Sequence, residues 1–144
     1  MTEISRDLTE LTDAESLALL GSVSLGRIVF TTRALPTIRP VNHILDDGQI
    51  LIRSHMGATI VSAADISYGA VVAYEADDLD PVQRLGWSVS VTGTARIIRD
   101  PGQVERYRQL LSPWGTGEKD DIITIHPELI TGFRLTARGR SDLA

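Results

Sequence analysis

The run Thr37-Ile38-Arg39-Pro40-Val41-Asn42-His43-Ile44-Leu45-Asp46-Asp47-Gly48-Gln49-Ile50-Leu51-Ile52-Arg53-Ser54 contains two strand-like segments around one turn. Asp47-Gly48 accepts the positive φ angles that a tight hairpin needs. The run therefore predicts strands over 37–45 and 49–54, paired antiparallel through a turn at 46–48. Pro40 removes one ladder N–H, so an irregularity is expected there.

Moving outward, the period of two continues. Arg27 to Thr32 reads as a strand upstream, and Gly69 to Glu75 as a buried strand downstream. Trp87 to Arg99 reads as the longest strand, with Trp87, Val89 and Val91 alternating against Ser88, Ser90 and Thr92; Gly93 inside it suggests a bulge. Ile122–Ile125 and Leu129–Thr136 read as the last two strands. Helices are few and short. Thr12 and Glu15 form a capping-box pattern ahead of Leu17 and Leu20, with Gly21 as the stop. Ala58 to Asp65 reads as about two helical turns. Asp100-Pro101 opens a third helix whose apolar face is Val104, Tyr107, Leu110 and Leu111, closed by 112–115. Six or seven strands without βαβ alternation predict a mainly β fold with short helices, a closed or partly closed antiparallel barrel. Residues 1–144 make one domain, with 1–11 and 137–144 expected to be loose.

Composition narrows the function classes. The chain has no cysteine, which removes disulfides, thiolate metal sites and a cysteine nucleophile, and suits a reducing cytoplasm. No apolar run approaches the length needed to span a bilayer, so no membrane partner is expected. A net charge of −5 and 5% aromatic residues argue against a nucleic-acid partner, which needs a basic face and stacking platforms.

No nucleophile elbow, P-loop or dinucleotide fingerprint occurs, so no catalytic side chain stands out. His43, His55 and His126 are isolated from one another and predict no metal site. Asp77, Asp78 and Asp80 lack the glycine and terminal glutamate of a calcium loop and read as a solvated loop. Trp87 suits either a core or interface aromatic or a wall beside a planar cofactor. Arg53 ends a strand before a Gly57-containing turn and a helix start. It reads equally as a phosphate contact at a helix N-terminus or as a surface ion pair.

Five segments in register carry a resemblance: Gly26-Arg27-Ile28-Val29-Phe30, Ile38-Arg39-Pro40-Val41-Asn42-His43, Ile50-Leu51-Ile52-Arg53-Ser54, the run from Gly86 to Ala95, and Ile130-Thr131-Gly132-Phe133-Arg134. In order and spacing, from Leu17 to Leu135, the chain resembles the pyridoxamine 5′-phosphate oxidase-like, flavin-binding split-barrel family. The small actinobacterial members, some similar to nitroimidazole reductases, are nearest in pattern. The resemblance implies a six-stranded antiparallel split β-barrel of the FMN-binding type, and a homodimer with cofactor sites at the interface. It places Arg39, Pro40, Val41 and Asn42 beside the flavin ring. Arg53, Ser54, Gly57 and Thr59 fall around the phosphate, and Trp87 and Ser88 come from the facing subunit. Thr59 stands where many relatives have a lysine, so one phosphate cation is absent. The C-terminal substrate determinants of vitamin B6 oxidation have no match here.

The function so implied is a flavin-dependent oxidoreductase acting on a small organic acceptor. FMN is the first expected cofactor, with FAD or an 8-hydroxy-5-deazaflavin next. The alternative from another class is a non-catalytic flavin or haem carrier or sensor, in which a histidine would be the axial ligand.

Overall fold

The computed structural model describes residues 6–61, 69–111 and 120–138. The hairpin read from the sequence is its centre. Strand β3 (Leu35–Asp46) pairs with β4 (Gln49–Ser54) through Asp47 and Gly48, both at positive φ (51° and 74°). A second hairpin joins β2 (Leu25–Thr32) to β3 through Arg33 and Ala34, also both at positive φ (53° and 63°). These are non-glycine residues in a turn geometry that glycine normally fills, so no local residue signal announces this turn.

β5 (Ala70–Asp80) pairs with β2 and with β6 (Leu85–Ile97), and β7 (Asp121–Ala137) pairs with both β4 and β6. The order β7-β4-β3-β2-β5-β6, closed by the β6–β7 pairing, is a ring of six antiparallel strands: the split barrel. A further strand, β1 (Arg6–Glu10), lies outside the ring, paired with the C-terminal half of β7. Residues 6–10 are thus an ordered strand where a loose tail was expected; the alternation that would announce a strand is obscured by four charged or polar residues in five.

β3 runs through Pro40 without a break, contrary to the expected irregularity. The N–H of His43 donates to the Ser24 carbonyl across the β2 ladder (2.8 Å), so odd residues of β3 turn their N–H groups toward β2. Pro40, at an even position opposite Arg27, is asked for no ladder hydrogen. The two last strands read from the sequence are one, and at seventeen residues β7 rather than β6 is the longest. It passes Pro127 at a bulge: Gly93 faces Pro127 while Thr92 faces Leu129, so the proline sits where the ladder is already interrupted. The bulge read at Gly93 is there, and a Cβ on Gly93 would overlap the His126 carbonyl. Asp77, Asp78 and Asp80 belong to β5 and its hairpin end, not to a loop. Asp80 Oδ1 accepts from the N–H groups of Val82 and Gln83 and shapes the β5–β6 turn.

The interior of the ring is filled by Ile28, Phe30, Ile50, Ile52, Val72, Tyr74, Val89, Val91, Ile123 and Ile125. Helix α1 (Asp13–Gly21) has the Thr12–Glu15 capping box and inserts Leu20 into this core. Helix α2 is four residues, Gly57–Ile60, shorter than the span read over 58–65; positions 62–65 lie outside the described residues. Its Ile60, with Val61, packs into the barrel. Helix α3 (Pro101–Leu110), capped by Asp100, covers the outer face with Tyr107 and Leu111 on Leu51 and Ile122; Leu110, expected on that face, is exposed. Among the described residues no helix is long and apolar enough to cross a membrane.

Candidate functional site

On its second side β3 pairs with β4 only over His43–Asp46, while β4 continues along β7 as far as Ser54 opposite Asp121. β3 and β4 therefore part company beyond the His43–Ile52 pair, and the segment Arg39–Asn42 forms an edge beside the end of β4. Arg39–Asn42 and Arg53–Thr59 lead away from the two members of this last pair. Alternation then sorts the side chains. Asn42 follows Ile44, which packs with Leu51 on the α3 face, so Pro40, Asn42 and Arg53 share that face. Val41 is buried toward the interior, and Arg39 and Pro40 are exposed. Arg39 Nη1 donates to the Ile38 carbonyl (2.8 Å).

Arg53 and Ser54, expected to hold one phosphate together, point to opposite faces of β4. Arg53 Nε donates to Asp120 Oδ2 (2.6 Å), and Nη1 donates to the carbonyls of Arg108 and Leu111 at the end of α3 (3.2 and 3.0 Å). The ion pair is largely buried, with side-chain exposures of 17% and 7%. Ser54 Oγ accepts from the Met56 N–H (3.0 Å). The N–H groups of Thr59 and Ile60 both donate to the Met56 carbonyl (3.0 and 2.9 Å). Gly57 is buried against Asp121, whose carboxylate occupies the place of a Cβ; the Thr59 side chain is exposed.

Trp87 is expected at a subunit face but points into its own barrel, 6% exposed among Val89 and the interior cluster. Odd positions of β6 face inward, and Trp87 is one of them. Ser88, on the outer face, is half-buried. The Trp87–Ser88 pair faces Phe133 and Arg134, whereas Ser54 faces Asp121. Along β7 those two positions are separated by roughly 40 Å of strand at about 3.3 Å per residue.

Three groups escaped the sequence reading. His43 is buried, its Nε2–H donating to the Leu20 carbonyl (2.8 Å) while Nδ1 accepts from the Tyr74 hydroxyl. The carbonyl can only accept, which fixes the neutral tautomer. Burial holds its pKa below the usual histidine value, against the pull of the Leu20 hydrogen bond. Gly26 makes room: a Cβ there would overlap the Tyr74 hydroxyl. On the outer face Arg27 reaches both Glu75 (3.4 Å) and Asp77 (3.8 Å). Burial, with the neighbouring Asp77, pushes the Glu75 carboxyl up to about 7. The period of two in β3 and β5 could have placed His43 inward and paired Glu75 with Asp77; it could not have found Tyr74 opposite His43. A cleft of about 780 Å³ runs from the Gly21–Leu25 connection past His43 to Asp77 and Asp78. It adjoins Asn42 but is lined by none of the residues expected at a cofactor.

Comparisons with known proteins agree with this frame. The chain is 49% identical over 139 residues to an uncharacterised protein of Mycobacterium tuberculosis, Rv0080, covering 95% of this chain and 91% of that one. Among solved structures, it is similar to a Corynebacterium glutamicum protein provisionally described as a pyridoxamine 5′-phosphate oxidase (34% identity, TM-score 0.73, 92% of this chain and 100% of that one). It is also similar to the FAD binding protein of Mycobacterium smegmatis (35% identity, TM-score 0.67, 91% and 100%). The pyridoxamine 5′-phosphate oxidase family model matches residues 12–134, nearly all of the described barrel, and the chain belongs to that family.

Proposed function

We propose that this chain binds a flavin between two copies of itself and acts as a flavin-dependent oxidoreductase on a small organic acceptor. The observation that carries this is the split between β3 and β4. Pro40 and Asn42 turn their carbonyls away from β2, toward the end of β4, where they can accept from an N–H on the polar edge of a planar heterocycle, while Arg39 holds the Ile38 carbonyl. A similar protein, 35% identical, is described as FAD binding, which makes a flavin the cofactor class. The second copy is part of this reading: the resemblance brings 87–88 from a facing subunit, and along β7 that segment lies far from the 53–59 turn. A bound flavin supplies electron or hydride transfer, so the chain itself need only position and shield it. That agrees with a site whose titratable groups are spent on structure. The haem alternative has no support from His43, whose two ring nitrogens are both engaged.

The test is titration of the purified chain with FAD, read by flavin absorption and fluorescence, together with sedimentation. Saturable binding by a dimer is the expected result. A chain that leaves free flavin unchanged overturns the proposal.

A further inference from the structure

We propose that the flavin site of this chain does not read a terminal phosphate, because the Arg53–Thr59 turn is closed on itself and faced by the carboxylates of Asp120 and Asp121. The proposal rests on the flavin reading above and concerns which part of the ligand the site recognises.

An anion cradle needs donors that point outward. Here Arg53 and the N–H groups of Met56, Thr59 and Ile60 are committed inward. The Arg53 guanidinium serves Asp120 and the last carbonyls of α3. The Met56 N–H serves Ser54 Oγ, and the Thr59 and Ile60 N–H groups share the Met56 carbonyl. α2 is a single turn of four residues and has little dipole to offer. Among the described residues the charges around the turn also cancel. Arg53 and Arg108 both lie on Asp120, at 2.6 and 3.7 Å. The carboxylate of Asp121 fills the space against Gly57, the glycine that would otherwise let a phosphate approach the backbone. Position 59 adds a hydroxyl and no cation.

A phosphate monoester carries roughly −1.5 to −2 near neutral pH. Placed at this turn it would lose hydration, gain no net positive charge, and either face Asp121 or draw Arg53 off Asp120. The ring, the ribityl chain and, in FAD, the adenosine half are left to supply the affinity.

Equilibrium titration of the full chain with riboflavin, FMN and FAD tests this. FMN should bind no more than about threefold tighter than riboflavin. Asp121→Asn keeps the shape and removes the charge. It should tighten FMN about fivefold, the factor one unit charge carries at about 4 Å in water, and leave riboflavin unchanged. Thr59→Lys, at an exposed position where folding is not at stake, should also favour FMN selectively. FMN about tenfold or more tighter than riboflavin in the wild type overturns the inference while leaving the flavin reading intact. So does a variant that moves both ligands alike. If none of the three binds, the flavin reading falls and this inference falls with it.

Discussion

Glu75 stands opposite Arg27 on the outward face of β5 and shares that arginine with Asp77. Its pKa is raised to about 7, first by burial, then by the hydrogen bond and charge of Asp77, against the opposing pull of Arg27. The folded chain therefore holds a proton there that the unfolded chain releases near the ordinary carboxyl value of 4.5. This contribution to stability is whole below the unfolded value and is lost as pH rises through about 7. Glu75→Gln is neutral at every pH and should be more stable than wild type at about pH 8, with the difference vanishing toward about pH 4. Urea unfolding at several pH values measures this; parallel curves would show that the carboxyl has the same pKa folded and unfolded. Arg53 shows why residue roles were only half legible. Its type and place at a strand end were plain in the sequence. Its choice between an anion and an ion pair depended on Asp120, 67 residues away, which local spacing cannot reveal.

At the scale of elements, the two hairpins around β3 make a natural comparison. Both turns hold two residues at positive φ, but one is Asp47-Gly48 and the other Arg33-Ala34. Left-handed backbone costs a residue with a Cβ roughly 1–2 kcal/mol, and glycine avoids that cost. Ala34→Gly should therefore stabilise the chain by about 1 kcal/mol, offset in part by the greater freedom of glycine when unfolded. Thermal or urea unfolding checks the sign. A loss of stability would mean that the β2–β3 turn relaxes out of this geometry in solution. The same contrast explains what could be read. Asp-Gly announces its turn, and alternation announced the strands from Arg27 onward. Arg-Ala announces nothing. Pro40 looked like an irregularity, and the stretch holding Pro127 fell between two strands, because a sequence does not show which side of a strand is bonded. β3 absorbs its proline on the side away from β2, and β7 absorbs its own at a bulge.

For the whole molecule, closing the ring leaves a row of apolar side chains on one outward face. Val29 is cross-strand partner to both Ile38 and Ala73, which sets an apolar row across β3, β2 and β5. Ile38 is 58% exposed, and Val71, two residues along β5 from Ala73, is 73% exposed. Pro36 and Pro40 flank the row on the same face of β3 and are exposed. Contiguous apolar residues on a sheet face mark an association surface more often than scattered ones do. This face also carries the outward side of β3, next to the split where the flavin is proposed to lie. A second copy seated here would cover the row and bring foreign residues to that edge at once. Ile38→Lys and Val71→Lys should each shift sedimentation toward monomer, by roughly tenfold or more in dissociation constant if the residue is central. Both should weaken FAD binding in step with the loss of dimer, without lowering the unfolding midpoint of the isolated barrel, since neither side chain enters the core. Variants that stay dimeric would move the interface to another face. Variants that become monomeric yet bind FAD as before would show that one chain completes the site, and the proposal of a site shared between two copies would fail.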